Sequence, residues 1–277
     1  MFNPAYVIPR IARHFLPAGI TRLLLRRGLV IRPGLETRAP EEAARRYRDE
    51  LAQAGIALEG KRVLLFGYDG SFAVGCALLE MGAKHVTLCE KEAPTDDKRN
   101  VPLLARYPAY LTADGEKVLP NPEVLDLQQG DIRVLAGLRT FQPVDLVLST
   151  SVYEHLDDVP GITDALARVT CPDGAQLHYV DLRDHFFRYP FQMLFYSDHT
   201  WNHWLNPTSN HNRYRFGDYR AVFEKFFRKV DIEVLERDPA AFNAARARIR
   251  AEFLTGEEEV DAITLIKVLV QEPVRKQ

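Results

Sequence analysis

The chain has 277 residues, of which 46% are hydrophobic and 27% charged, material for one large domain with an appendage. A net charge of -2 gives no overall attraction to nucleic acid, and no run of about 18 apolar residues exists to span a bilayer. The three cysteines, Cys76, Cys89 and Cys171, lack C-x-x-C spacing and read as buried thiols of a reducing compartment; with no signal-peptide pattern, the cytoplasm is the expected location.

The first 35 residues carry six arginines (Arg10, Arg13, Arg22, Arg26, Arg27 and Arg32) and no acid. The leucine-bearing stretch ITRLLLRRGLVIR suits an anionic membrane surface or an anionic substrate. It equally suits a helical cap that packs on the domain and closes a ligand site. A transit peptide is disfavoured because the stretch has no serine. Pro33, Gly34 and Pro40 mark a break, after which APEEAARRYRDELAQAG reads as a helix leading into the core. Residues 1–58 are thus expected to form a helical cap and 59–277 the main domain.

The stretch KRVLLFGYDGSFAVGCALLEMGAKHVTLCEK, Lys61 to Lys91, reads as strand, glycine turn, helix, strand and acid. Val63 to Phe66 suit a buried parallel strand, Gly67 and Gly70 a turn that lets backbone approach a ligand, and Ser71 a cap for the next helix. That helix ends at Gly82, and HVTLCE closes on Glu90, spaced to take the two hydroxyls of a ribose lying over the turn. A dinucleotide site wants G-x-G-x-x-G. Here the order is Gly67-Tyr68-Asp69-Gly70-Ser71, which sets a carboxylate where a pyrophosphate would lie but one that a cationic sulfonium with an amino-acid tail would tolerate.

Downstream, a helix is expected from about Lys98 to Tyr107, then a connection, and VLDLQQGDI as a third strand ending at Asp131. VDLVLST is the fourth strand, Asp158 caps a helix running to Val169, Pro172 to Gly174 turn, and AQLHYVDL is the fifth strand. RFGDYRAVFEKFFRK reads as an amphipathic helix. VDIEVLER and DAITLIKVLVQE are two last strands joined by a helix-rich insertion. Chemistry is expected beyond the fourth and fifth strands, where Tyr153, Glu154 and His155 follow one and Asp181, Arg183, Asp184 and His185 the other. His155 or His185 suits a general base; the bland alternatives are a helix cap for the first and a surface pairing of Arg183 with Asp184 beside the second. The segment Phe186 to Arg215 is dense in aromatics, histidines and asparagines and reads as a lid over a sugar-like acceptor, or else as a subdomain with its own aromatic core. His199 and His203 stand at i, i+4 but lack a third ligand, so no metal is expected.

From VLLFGYDGS, Glu90, the GDI of Gly130 to Ile132 and DLVLSTSVYEHL at Asp145 to Leu156, the chain resembles the class I S-adenosylmethionine-dependent methyltransferases over roughly Gly60 to Val270. Within them it is most similar to methyltransferase-like proteins of glycan biosynthesis, which carry a DL-x-DH segment after the fifth strand; here it is DLRDH. The resemblance implies an α/β fold, a Rossmann-like seven-stranded sheet with helices on both faces that ends in an antiparallel strand pair. It implies S-adenosyl-L-methionine held by Gly67, Tyr68, Asp69, Gly70, Ser71, Glu90, Asp131, Ile132, Ser149 and Thr150. The residues beyond the fourth and fifth strands and in the lid then assign catalysis to His155, His185 and Asp181, with Tyr153, Arg183, Tyr196, His199 and Trp201 facing a small-molecule or glycan substrate. Methylation of a hydroxyl is the function expected; methylation of a nucleic-acid amine would want an Asn/Asp-Pro-Pro-aromatic turn after the fourth strand, where STSVYEHL stands. Leu65 replaces a family acid, and Asp69-Gly70 stand in swapped order. A catalytically silent member that binds cofactor or a partner without turnover therefore stays open, as does a nicotinamide-dependent oxidoreductase.

Overall fold

The computed structural model describes residues 3–15, 35–91, 93–185, 188–206 and 211–275. Seven strands form the central sheet: β1 (Arg62–Phe66), β2 (His85–Glu90), β5 (Leu125–Gln129), β6 (Val144–Thr150), β7 (Thr170–Asp181), β8 (Phe227–Arg237) and β9 (Ile263–Pro273). Their order is β5-β2-β1-β6-β7-β9-β8; the first five run parallel, and β9 and β8 close the sheet antiparallel. The strand order reverses between β1 and β6, and at such a switch point a crevice opens beyond the carboxyl ends of the strands.

Alternation along β1 builds two cores. Val63 and Leu65 point to the face covered by α2 (Pro40–Gln53) and α3 (Ala73–Glu80), while Leu64 and Phe66 point to the face covered by α4 (Val159–Val169) and α5 (Phe216–Phe226). α2 turns Ala43, Ala44, Tyr47 and Leu51 inward. It therefore belongs to the main core, as expected of a helix leading into it. A third cluster joins Tyr6 and Val7 of α1 (Pro4–His14) to Phe191, Met193, Leu194, Trp201 and Leu205 and to Phe242 and Ile249. The expected cap thus divides, α2 on the sheet and α1 on the segment after β7. The stretch Ile20 to Arg32 lies outside the described residues, and among these no helix is long and apolar enough to cross a membrane.

Three local expectations are corrected. The helix expected from Lys98 to Tyr107 is a turn, Asp97–Asn100, followed by a 3-10 turn at Val101–Leu103, because Pro102 lacks the amide an α-helix needs. The connection after it contains a hairpin, β3 (Leu111–Asp114) with β4 (Lys117–Pro120), turned at Gly115-Glu116 with Gly115 at φ +61°. Pro172 to Gly174 do not precede the fifth strand but lie within β7, which shifts register against β6 between Val144 and Leu146.

Candidate active site

The glycine turn caps β1 at the switch point. Gly67, Asp69 and Gly70 have φ of +83°, +50° and +74°, left-handed conformations that favour glycine and that aspartate tolerates. A Cβ at Gly67 would lie 2.4 Å from Val152 Cγ2, and one at Gly70 would lie 2.4 Å from the Pro94 carbonyl oxygen. Both glycines therefore make room for neighbouring chain as well as for backbone approach. The turn is held by fully buried Asn100, whose Oδ1 accepts from the Phe72 amide (2.9 Å) and whose Nδ2 donates to the Gly70 carbonyl (2.9 Å). Asn100, rather than Ser71, is thus the main cap of α3; Ser71 Oγ accepts only a 3.4 Å contact from Ala73 N. Asp69 is exposed and paired with Arg99 at 3.0 Å.

Across the crevice, Glu90 ends β2, its Oε1 accepting from the Lys91 amide at 2.8 Å. Tyr68 is buried on Phe72, and burial together with the nearby Glu90 pushes its phenol up to about 12. Asp131 caps the short turn Ile132–Leu135 and is gripped by Arg133, whose amide and Nε both donate to Oδ1 at 2.9 Å, with Lys91 at 3.4 Å. These partners hold its carboxyl well below the usual range, and Ile132 beside it is buried. Ser149 turns away from the crevice: it is fully buried, bonded to His178 Nδ1 at 2.7 Å. Burial drives that imidazole down to about 3. Thr150, the next residue, meets the N-terminal elements, with Oγ1 3.0 Å from Arg46 Nη2 and 2.6 Å from the Tyr47 hydroxyl, which in turn bonds Glu36. Arg46 also lies 3.7 Å over the Tyr179 ring. Residues 36–47 therefore close one side of the crevice.

Beyond β6 and β7 the structure brings histidines together. The rings of His155 and His185 are 4.7 Å apart, and those of His185 and His211 4.6 Å apart. Glu154 Oε1 lies 3.8 Å from His185 Nε2. His211 sits far below its ordinary range, first through burial and then through its two histidine neighbours. Asp181 is not part of this group; both its oxygens accept from Arg183, which also reaches Glu236 at 3.0 Å. Arg183 does not pair with Asp184, which is fully buried and bonded to Arg10 and Tyr6 of α1. Of the residues expected to face the acceptor, Tyr153 is fully buried, 4.6 Å from His178 and 5.2 Å from Phe223. Trp201 is also buried and donates its indole N–H to the His211 carbonyl at 3.0 Å. These are core positions and cannot meet a ligand without repacking. Tyr196 is half-buried, stacked on Tyr6 at 5.9 Å, and His199 is exposed, stacked on His203 at 4.4 Å. Glu154 neighbours His155 after the fourth strand, but His211 comes from a segment distant along the chain, and the recurrence of histidine in each loop beyond the sheet is the signal the sequence offers for it.

No family model and no curated protein matches the sequence. Solved structures match its fold. A candidate sarcosine dimethylglycine methyltransferase from Galdieria sulphuraria superposes with a TM-score of 0.50 at 14% identity, covering 83% of this chain and 85% of its own. The N-terminal domain of EvdMO1, solved with SAH bound, gives 0.50 at 14% identity over 85% of this chain and 82% of its own. The mitomycin 7-O-methyltransferase MmcR gives 0.50 at 14% identity, over 92% of this chain but 58% of its own. With five parallel strands, an antiparallel closing pair and helices on both faces, the chain has the Rossmann-like fold of the class I S-adenosylmethionine-dependent methyltransferases.

Proposed function

We propose that this protein is an S-adenosylmethionine-dependent methyltransferase acting on a hydroxyl of a small polar molecule, with a carbohydrate as the acceptor class to test first. The observation that carries the reading is the left-handed Gly67–Gly70 turn at the switch point with Glu90 across from it. Glu90 takes the ribose hydroxyls, the backbone of the turn lies along the amino-acid tail, and Ile132 flanks the adenine. The cofactor supplies a methyl group activated on a sulfonium. His155 or His185 accepts the proton of the acceptor hydroxyl as its oxygen forms the new bond to carbon and the sulfur–carbon bond breaks, leaving S-adenosylhomocysteine. Residues 36–47 exclude water from one side, which strengthens the electrostatics of the site. Carbohydrate is the class to test because Tyr196 and His199, in the segment after β7, keep exposed ring or polar surface, whereas Trp201 is buried.

Calorimetry tests this directly. S-adenosylhomocysteine is expected to bind, and Glu90→Ala to weaken it by about 1.5–3 kcal/mol, the range for hydrogen bonds to a charged group. Binding of NAD with no heat from S-adenosylhomocysteine would reject the reading. Glu90 is the better probe than Gly67, because Gly67→Val drives into Val152 and would disturb the turn whatever the ligand.

A further inference from the structure

We propose that Glu154, His155, His185 and His211 hold a divalent first-row transition-metal ion. One ligand atom from each of Glu154, His155 and His185, a carboxylate oxygen and two ring nitrogens, lies within 4.8 Å of the other two. His211 completes the group, its ring 5.4 Å from that of His155 and 4.6 Å from that of His185. Ligand atoms on a tetrahedral ion with bonds of about 2.0–2.1 Å stand roughly 3.3 Å apart, so side-chain rotations suffice to close the cluster.

Two buried groups point to a ligand here. Glu154 is 1% exposed, and neither carboxylate oxygen has a hydrogen-bond partner among the described residues. A carboxylate so placed is costly unless it is paired or binds a cation. His211 is 2% exposed, and its Nδ1 lies 2.9 Å from the Asn212 carbonyl oxygen. A carbonyl only accepts, so Nδ1 carries the hydrogen and Nε2 presents a lone pair, which has no partner among the described residues. This is how a backbone carbonyl fixes the tautomer of a metal-binding imidazole.

Backbone hydrogen bonds fix the place of His211 beside Glu154. Asn206 accepts from the His211 amide and donates to its carbonyl, both at 3.0 Å. Asn212 donates to the Tyr153 carbonyl at 2.7 Å, and its own amide to the Glu154 carbonyl at 2.7 Å, which pins the His211 segment to the turn after β6. The nearby cations are offset by acids, Arg10 by Asp184 and Arg183 by Asp181 and Glu236. Three imidazoles and one carboxylate suit zinc and its first-row neighbours rather than magnesium or calcium. The role of the ion rests on the function proposed above: on expanding from four to five ligands it would take an acceptor oxygen as a Lewis acid, and with the ion bound the acceptor's proton would pass to water instead of to the coordinated His155 or His185. The site itself does not rest on that function.

The test uses the untagged full-length protein, stripped with chelator and titrated with zinc by calorimetry and with cobalt(II) by visible absorption. One ion per chain is expected. His211→Ala and Glu154→Gln should each weaken zinc binding at least about 100-fold, beyond the roughly 10- to 100-fold typical of outer-shell changes. Both should still unfold cooperatively by circular dichroism; if either does not, His155→Ala, at a half-buried position, gives the same reading. His199→Ala and His203→Ala should change nothing. No stoichiometric metal, unchanged affinity in the folded variants, or loss of binding in the His199 and His203 variants would each overturn the site. Metal binding without any heat from S-adenosylhomocysteine would instead reject the methyltransferase reading and leave the site standing.

Discussion

Ser149 and Thr150 are neighbours on β6 with opposite surroundings, since successive strand residues point to opposite faces. Ser149 bonds a core histidine, and Thr150 reaches the N-terminal helices at the crevice. The same distinction governs the histidines. His178 is fully buried within β7, whereas His155 and His185 lie beyond the strand ends and are less deeply buried. His185→Ala is therefore expected to lower turnover by roughly 100-fold or more while S-adenosylhomocysteine affinity stays near wild type, read by steady-state kinetics beside calorimetry. Loss of both together would mark His185 as structural.

At the scale of elements, the segment after β7 is built as scaffold. Trp201 packs with Tyr6, Phe191 and Phe242, and the buried Arg215 donates to the carbonyls of Leu182 at 2.8 Å and Ile263 at 2.7 Å. Its guanidinium is brought down to about 10 by burial. Arg213 likewise reaches the carbonyls of Met193 and Tyr196. Such anchoring opposes a mobile lid across residues 188–206 and 211–215. Within the expected lid, Phe186, Phe187 and Pro207 to Asn210 lie outside the described residues. Trp201→Ala is accordingly expected to destabilise the fold by about 3–5 kcal/mol in chemical denaturation, the cost of emptying a buried aromatic site. Its effect on acceptor KM should be secondary. A variant as stable as wild type, with KM alone altered, would restore the lid.

Across the whole molecule, the N-terminal elements couple the crevice to pH. Glu36 is half-buried against Tyr47, Thr150 and Arg46, and its carboxyl is raised from about 4.5 to about 7, chiefly by burial. Because the folded value lies above the unfolded one, the stability this group contributes is fully present below about pH 4.5 and is lost as pH rises through about 7. After allowance for solvent screening the effect is on the order of 1–3 kcal/mol. Protection of residues 35–58 from proteolysis should thus increase on going from about pH 8 to about pH 5, and Glu36→Gln should flatten that dependence. An unchanged slope in Glu36→Gln would assign the effect elsewhere. The sequence by itself determined the sheet and its turn: β2 and β6 run His85–Glu90 and Val144–Thr150 as their apolar runs and bounding residues dictate, and Gly67 and Gly70 mark the left-handed turn that follows β1. These are local properties, written in periodicity and in the special geometry of glycine. Only the tertiary structure decided that Asn100 holds the turn, that α1 and α2 part company, and that Trp201 and Tyr153 are core. It also brought Glu154, His155, His185 and His211 together from three loops. Each of those outcomes joins residues tens of positions apart, so it depends on how the helices and loops pack over the sheet and not on spacing along the chain.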